Sequence, residues 1–447
     1  MDLDTILGLV EENNIQLIRF LYCDTSSIIR GKASYVTGLG SRFHSGIGLV
    51  KGMMAMNMMD EMQTDTGYGA TGEIRLVPDP DTFRILPYAP GSAMMLCDMI
   101  ETDKSPWVLC PRAVLKRQLE QYKEVGIRFD AAFEPEFFLG KQGEGNEVIP
   151  IDRSNCFSTD GMNKAAHFID DFMKALSSQG LQVEQYYPEL GHGQHELSIK
   201  HAPAMAAADN HIVYRETLRG VANLHNLVAS MAPKPGVDMP GNGCHLHISA
   251  WDTDTNSNMF YSDEGLSNFG KCFVAGLLKH LHAIVSITCA SVNSYRRLKP
   301  KSWSSAFTCW GYENREAAIR VPSLYWDNEL DSSNIEIKCV DSSCNPYLAL
   351  AVIIAAGMDG VKRKLTPPEP VDTDPSTFRE TEAAERKIER LPTSLKEAVK
   401  KLFMDQTIKD TIGEEFAKVY IKVKSSEDAH FANLSPEDEV RQHLTKF

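Results

Sequence analysis

Carboxylates and imidazoles recur in this chain inside short apolar runs that otherwise read as β-strands. Phe133-Glu134-Pro135-Glu136-Phe137-Phe138 carries two acids two residues apart, and the two-residue period of a strand turns both to one face. Tyr187-Pro188-Glu189-Leu190 and Gly193-Gln194-His195-Glu196-Leu197 add two more acids around a glycine-containing turn. Cys244-His245-Leu246-His247-Ile248 puts two imidazoles on one strand face, and Asn334-Ile335-Glu336-Ile337-Lys338 supplies a further carboxylate. Any one of these residues alone reads as a solvated or internally satisfied side chain. Together they are hard to bury unless the strands lie side by side around a cation. The donor set is rich in oxygen with one or two imidazoles, which suits Mg2+ or Mn2+ and not structural zinc, where thiolates dominate. Cys244 falls on the face opposite His245 and is not counted as a ligand.

Mg2+ keeps company with phosphates, and the charge balance decides what kind. The net charge of −14 repels a nucleic-acid backbone, so phosphate chemistry needs locally placed cations or bound metal. Two arginine-bearing stretches supply such cations: Asn293-Ser294-Tyr295-Arg296-Arg297-Leu298 and Glu313-Asn314-Arg315-Glu316-Ala317-Ala318-Ile319-Arg320. Arginines in apolar surroundings read as clamps for carboxylate or phosphate.

At 447 residues the chain is too long for one small module, so two domains or one large one are expected. A short helix around Ile6, Leu9 and Val10 precedes strands at 16–22 and 26–36, joined by an Asp24-Thr25-Ser26 turn, and at 93–99. A boundary is expected near Ser105-Pro106-Trp107. Helices at 113–122, 165–176, 209–231 and 269–288 then alternate with short strands, an α+β pattern. Residues 366–381 read as a surface loop, and Ser394 with Glu397 as a capping box. The ten cysteines are scattered without a CxxC pair, which excludes a zinc ribbon or disulfide framework and fits a reducing cytoplasm. The acidic start is unlike a signal peptide, and the longest nearly apolar run, 347–358, is too short to span a bilayer. No membrane role is expected.

With these residues in place, the chain resembles the glutamine synthetase family over nearly its whole length. The matching segments, in order, are Arg30-Gly31-Lys32, Glu134-Pro135-Glu136-Phe137-Phe138, Glu189, Gly193-Gln194-His195-Glu196, Gly243-Cys244-His245-Leu246-His247, Asn293 to Leu298, Asn314-Arg315, Ile319-Arg320, Glu336 and Asn345-Pro346-Tyr347-Leu348. The resemblance implies an N-terminal β-grasp domain (1–106) and a large catalytic α/β domain (107–447) with a curved antiparallel sheet. It implies stacked rings, a dodecamer, with each site built between subunits. It also implies a reaction in which the γ-carboxylate of glutamate attacks ATP to give γ-glutamyl phosphate, and an amine then displaces phosphate. Two Mg2+ or Mn2+ ions would neutralise the charge of phosphoryl transfer. By position, the resemblance assigns Glu136, Glu189 and Glu196 to the first metal and Glu134, His245 and Glu336 to the second. It places His247, Ser249 and Arg320 at the nucleotide, Arg315 and Arg320 on the transferring phosphoryl group, and Arg297, Gly241 and Lys338 on glutamate.

The chain departs from the family at the amine pocket. The family carries an acidic flap residue that binds and deprotonates ammonium; here Lys299-Pro300-Lys301-Ser302-Trp303-Ser304-Ser305 puts Trp303 in its place. An indole accepts no proton. The acid that the family's neighbouring subunit contributes aligns with Lys51, whose charge would repel ammonium. Pro240, Lys338 and Asn334 stand where the family has Asn, Arg and Arg. All metal ligands remain, so selective change in the amine pocket implies an altered amine, its organic part packing on Trp303 and on the Met53-Met54-Met56 run, for which packing at a subunit interface is the equal alternative. The alternatives are ammonia as the amine, a catalytically silent homologue that keeps the ring, and an acid other than glutamate.

Overall fold

The computed structural model describes residues 1–145 and 147–447. In its N-terminal part, β1 (Leu17–Cys23), β2 (Ile29–Tyr35), β3 (Ile47–Val50), β4 (Glu73–Pro78), β5 (Arg84–Ile85) and β6 (Ser92–Glu101) form one sheet. Its order is β2-β1-β6-β4-β3, with β5 on β6. β1 and β6 pair in parallel at the centre and the flanking pairs are antiparallel, the β-grasp arrangement the sequence implied. The β1–β2 turn is tied by Asp24, whose Oδ1 accepts from the amides of Ser26 and Ile28, 2.9 Å each.

The second sheet is organised by β7 (Ile127–Gln142), flanked by β8 (Val148–Pro150), β9 (Val183–Pro188), β10 (Gln194–Ile199), β11 (Ala202–Pro203), β12 (Val228–Ser230) and β13 (Cys244–Asp252). After a small hairpin of β14 (Tyr261–Ser262) and β15 (Gly265–Leu266), it is completed by β16 (Trp310–Tyr312), β17 (Ile319–Val321) and β18 (Ile335–Ile337). The order is β16-β17-β18-β13-β7-β10-β9, with β8, β11 and β12 also on β7. The sheet is not wholly antiparallel as expected: β16 and β17 run parallel. Alternation sorts the faces. Phe137 of β7 packs on Phe168 and Phe172 of the helix Thr159–Ser178, and Phe133 stacks at 4.7 Å on His211 of the helix Ala204–Leu224. The opposite face carries Glu134, Glu136, Glu196, His245, His247 and Glu336.

One expectation for this region fails and another gains detail. The helix expected over 209–231 ends at Leu224, because Asn226 takes a left-handed φ of +52° and Val228–Ser230 then pairs with β7; Asn tolerates that conformation better than other residues with a Cβ. The segment 366–381 is the surface loop expected, but it is tied to the second sheet. Its Val371 amide donates to Trp310 O (2.8 Å), and Asn314 Nδ2 donates to Val371 O (2.8 Å) and Thr373 O (2.9 Å), so it braces the strand and turn that carry Arg315.

The apolar run at 347–358 is the core of a helix, Pro346–Arg363, buried along most of its length. It packs against the helix Asn268–Thr288. That helix is long and apolar enough to cross a membrane by length and composition, yet most of it is enclosed by the rest of the chain. All ten cysteines are free.

Candidate functional site

Cross-strand register assembles the polar face. Glu136 stands opposite Glu196, which stands opposite Tyr187; Glu134 stands opposite His245; His247 stands opposite Glu336, which stands opposite Arg320. Directly opposed side chains lie close enough to interact, so acids spread over two hundred residues of sequence converge because the ladder is in this register.

Glu336 is the hub. It is 1% exposed, and takes Arg320 Nη1 at 2.6 Å, His245 Nδ1 at 3.3 Å and Lys338 Nζ at 3.3 Å. Burial opposes its ionisation, but Lys338, His247, His245 and Arg320 outweigh it and hold the carboxyl well below the usual carboxylate range. His247 Nε2 lies 3.2 Å from Glu134 and 3.9 Å from Glu336, while Asn334 Oδ1 fixes its Nδ1 at 2.8 Å. Burial disfavours the imidazolium, yet Glu134 and Glu336 raise His247 to about 9.

The other acids lack such partners. Glu136 is pushed up to about 7 by burial and then by the charge of Glu189; Glu196 is raised well above its usual range by burial and by Glu134 and Glu136; Glu189 is raised by burial. Gln194 Nε2 bridges Glu136 Oε2 (2.7 Å) and Gly241 O (2.9 Å), and the Tyr187 hydroxyl donates to Glu196. Half of the cradle is thus neutralised internally by Lys338, His247 and Arg320, and the Glu136, Glu189, Glu196 half is short of positive charge.

Both halves fit a hard divalent cation. Glu134, His247 and Glu336 each offer a ligand atom within 4.8 Å of the others, with the His247 Nε2 facing Glu134 at 3.2 Å. This trio differs from the expected Glu134, His245, Glu336 set: His245 does reach Glu336, but its Nε2 faces Lys338 Nζ at 3.4 Å. A cation entering the Glu136 half must displace protons. Mn2+ affinity should therefore fall as pH drops below about 7, where Glu136 protonates. Calorimetric titration in two buffers of different ionisation heat counts the protons released; an affinity that does not change across that range would mean these acids take no cation.

Beside the cradle opens a cavity of about 810 Å3 lined by Glu134, His247, Ser249, Arg315, Arg320 and Trp251, among others, a size that suits a nucleotide. Ser249 Oγ accepts from Trp251 Nε1 at 2.9 Å, and the Arg128 guanidinium stacks 5.1 Å over the Trp251 ring. The remaining expected residues lie off this cavity. Arg297 is buried on Val340 O (2.9 Å) beside Gly241, where a Cβ would come within 2.5 Å of Arg297 Cγ. Trp303 sits on the segment 299–305 and is 64% exposed. Lys51 pairs within its own chain, 2.7 Å from Glu101, and Met54, one of the three methionines read as a surface for the amine, is fully buried core.

Gln194, Tyr187, Asn334 and Arg128 are site residues that motif reading passed over as contributors. The alternation of β10 already placed Gln194 on the face of Glu196, and would have found it.

The comparisons agree with this geometry. The pattern described as "Glutamine synthetase, catalytic domain" matches residues 108–443, and "Glutamine synthetase N-terminal domain" matches 4–107. The chain is 32% identical to "Glutamine synthetase" of Methanocaldococcus jannaschii, covering 99% of this chain and 98% of that one. It is 34% identical to "Gamma-glutamylpolyamine synthetase GlnA3" of Streptomyces coelicolor, covering 95% and 92%. Among solved structures, a "novel glutamine synthase homolog" aligns with TM-score 0.86 at 31% identity over 97% of this chain and 99% of that chain. A "GmaS/ADP complex" aligns with TM-score 0.84 at 26% identity over 98% and 99%. With both domains matched in order and the carboxylate cradle in register, the chain belongs to the glutamine synthetase family and is a ligase of that type.

Proposed function

We propose that this ligase joins the γ-carboxyl of glutamate to an organic primary amine at the expense of ATP, through γ-glutamyl phosphate. The observation that carries the choice of amine is the segment 299–305, where Trp303 presents an exposed indole and no carboxylate at the position from which the family binds ammonium. The similarity to a polyamine-ligating relative supports the same reading.

In this reading the cavity takes ATP, with His247 and Ser249 along the nucleotide and Arg315 and Arg320 toward the phosphates, where fixed cations stabilise developing charge. Glu136, Glu189 and Glu196 hold one Mg2+ or Mn2+; Glu134 and Glu336, with an imidazole from His245 or His247, hold the other. When bound, these ions neutralise phosphate charge and so ease attack by a carboxylate. Arg297, Lys338 and the backbone at Gly241 orient the acid. Assembly is proposed as stacked rings, a dodecamer, with sites between subunits.

The second reading, ammonia as the amine, is favoured by the archaeal relatives named glutamine synthetase. Phosphate release with glutamate, ATP and either ammonium or a panel of alkyl-, aryl- and polyamines separates the two. The proposal expects the best organic amine to exceed ammonium at least tenfold in kcat/KM; ammonium equal to the best amine overturns it.

A further inference from the structure

Removing the family's flap acid leaves a chemical task unassigned. An alkylammonium carries no lone pair and must lose a proton before it can attack an acyl phosphate. The structure holds a carboxylate under that same flap. The segment 299–305 carries three non-glycine residues in the left-handed region, Lys301 (φ +58°), Trp303 (+49°) and Ser305 (+63°), conformations that persist only where surrounding contacts impose them. One contact is Ser305 Oγ donating to Ala317 O at 2.8 Å. Another is the Trp303 amide, which donates to Glu316 Oε1 at 2.9 Å.

Glu316 itself is unusual for an acid in a turn. It is 8% exposed and follows Arg315, a residue lining the nucleotide cavity. Its own amide is fixed on Asn314 Oδ1 at 2.9 Å, so its position is set by the same turn that carries Arg315. No cation is paired with it among the described residues. Its Oε2 accepts no hydrogen bond among the described residues and is not sealed from solvent. One oxygen is spent on the flap backbone and the other is unpartnered. Burial raises its carboxyl above the usual range, helped by the charge of Asp374 and opposed by the Trp303 amide and by Lys338, which makes it a better proton acceptor than an ordinary surface acid.

We propose that Glu316 is the carboxylate that receives the incoming ammonium group and takes its proton, so that the acid lost from the flap tip is replaced from the turn beneath it. This rests on the reading of the chain as an organic-amine ligase. In the step, R–NH3+ gives a proton to Glu316. The freed nitrogen lone pair attacks the γ-carbonyl carbon, a C–N bond forms, and the C–O bond to phosphate breaks. The second amine proton leaves with phosphate as hydrogen phosphate, and the proton on Glu316 returns to solvent. With its other oxygen on the Trp303 amide, Glu316 would hold the amine beside the indole, which packs against the organic part.

The test compares amide formation from an alkylamine with hydroxamate formation from hydroxylamine, which is already neutral at neutral pH and needs no base. Glu316→Gln keeps an oxygen for the Trp303 amide but cannot take the proton. The ratio of amide to hydroxamate rate should fall at least a hundredfold, within the range for a lost general base, and Glu316→Asp should retain more of that ratio than Glu316→Gln. Hydroxamate formation in the same preparation also reports that the variant is folded. Amide and hydroxamate rates falling together, an unchanged ratio, or equal losses in the two variants would each overturn the role and leave the amine-ligase reading intact. Wild-type protein that forms hydroxamate but no amide from any organic amine would overturn both.

Discussion

Glu336→Gln should lower kcat/KM about a thousandfold, the equivalent of about 4 kcal/mol. This one carboxylate meets Arg320, His245 and Lys338 within 3.3 Å and is 1% exposed. Its charge is what keeps two buried cations compensated and what a divalent ion between Glu134 and His247 would share. A neutral amide matches its shape and removes its charge. Removing one partner of a buried ion pair costs about 3–5 kcal/mol of stability, so the melting temperature should drop as well. Pairing the change with Lys338→Met separates the effects: the double variant should recover much of the lost melting temperature and none of the turnover or Mn2+ binding. Turnover within about tenfold of wild type in folded Glu336→Gln would mean the cradle is architectural.

Gly360→Ala should unfold the catalytic domain or destabilise it by about 3 kcal/mol or more. A Cβ there would sit 2.0 Å from Cys272 O, and one on Gly276, in the facing helix, 2.1 Å from Ala356 O. Both obstacles are backbone, which cannot rotate aside as a side chain does. The helices Asn268–Thr288 and Pro346–Arg363 approach this closely because glycine faces glycine, and the second opens with Asn345, whose side chain caps the amides of Tyr347 and Leu348 and reaches Asp24 O (3.2 Å) in the β1–β2 turn. Separating the helices would therefore also loosen the tie between the helix Pro346–Arg363 and the β1–β2 turn. Thermal melting of Gly360→Ala beside Ala356→Gly, which adds no volume, checks this; a Gly360→Ala melting temperature equal to that of wild type would contradict it.

Much of the site was legible because strand periodicity is a local property. Glu134 with Glu136, and His245 with His247, had to share faces once their segments were strands, and buried like charges had to meet a cation. The helices at 111–123 and 268–288 were readable from apolar spacing for the same reason. What escaped reading depends on partners distant in sequence. That His247 as well as His245 meets Glu336 follows from the β13–β18 register, which no single motif displays. That the surface loop 366–381 is tied to Trp310 was hidden because a backbone pairing leaves no mark on side-chain type. Met54 looked available because the core that claims it lies elsewhere in the chain. The helix ending at Leu224 was overrun because apolar spacing continues to Met231 and only the backbone at Asn226 interrupts it.

The choice of amine is the central claim, and direct competition tests it best. With glutamate, ATP and Mg2+, equal concentrations of 15N-ammonium and a primary alkylamine or polyamine compete in one reaction, and mass spectrometry of the products gives the ratio of the two kcat/KM values without separate calibration. The account predicts γ-glutamyl alkylamide in at least tenfold excess over 15N-glutamine for the preferred amine. Glutamine as the main product against every amine tried would contradict it.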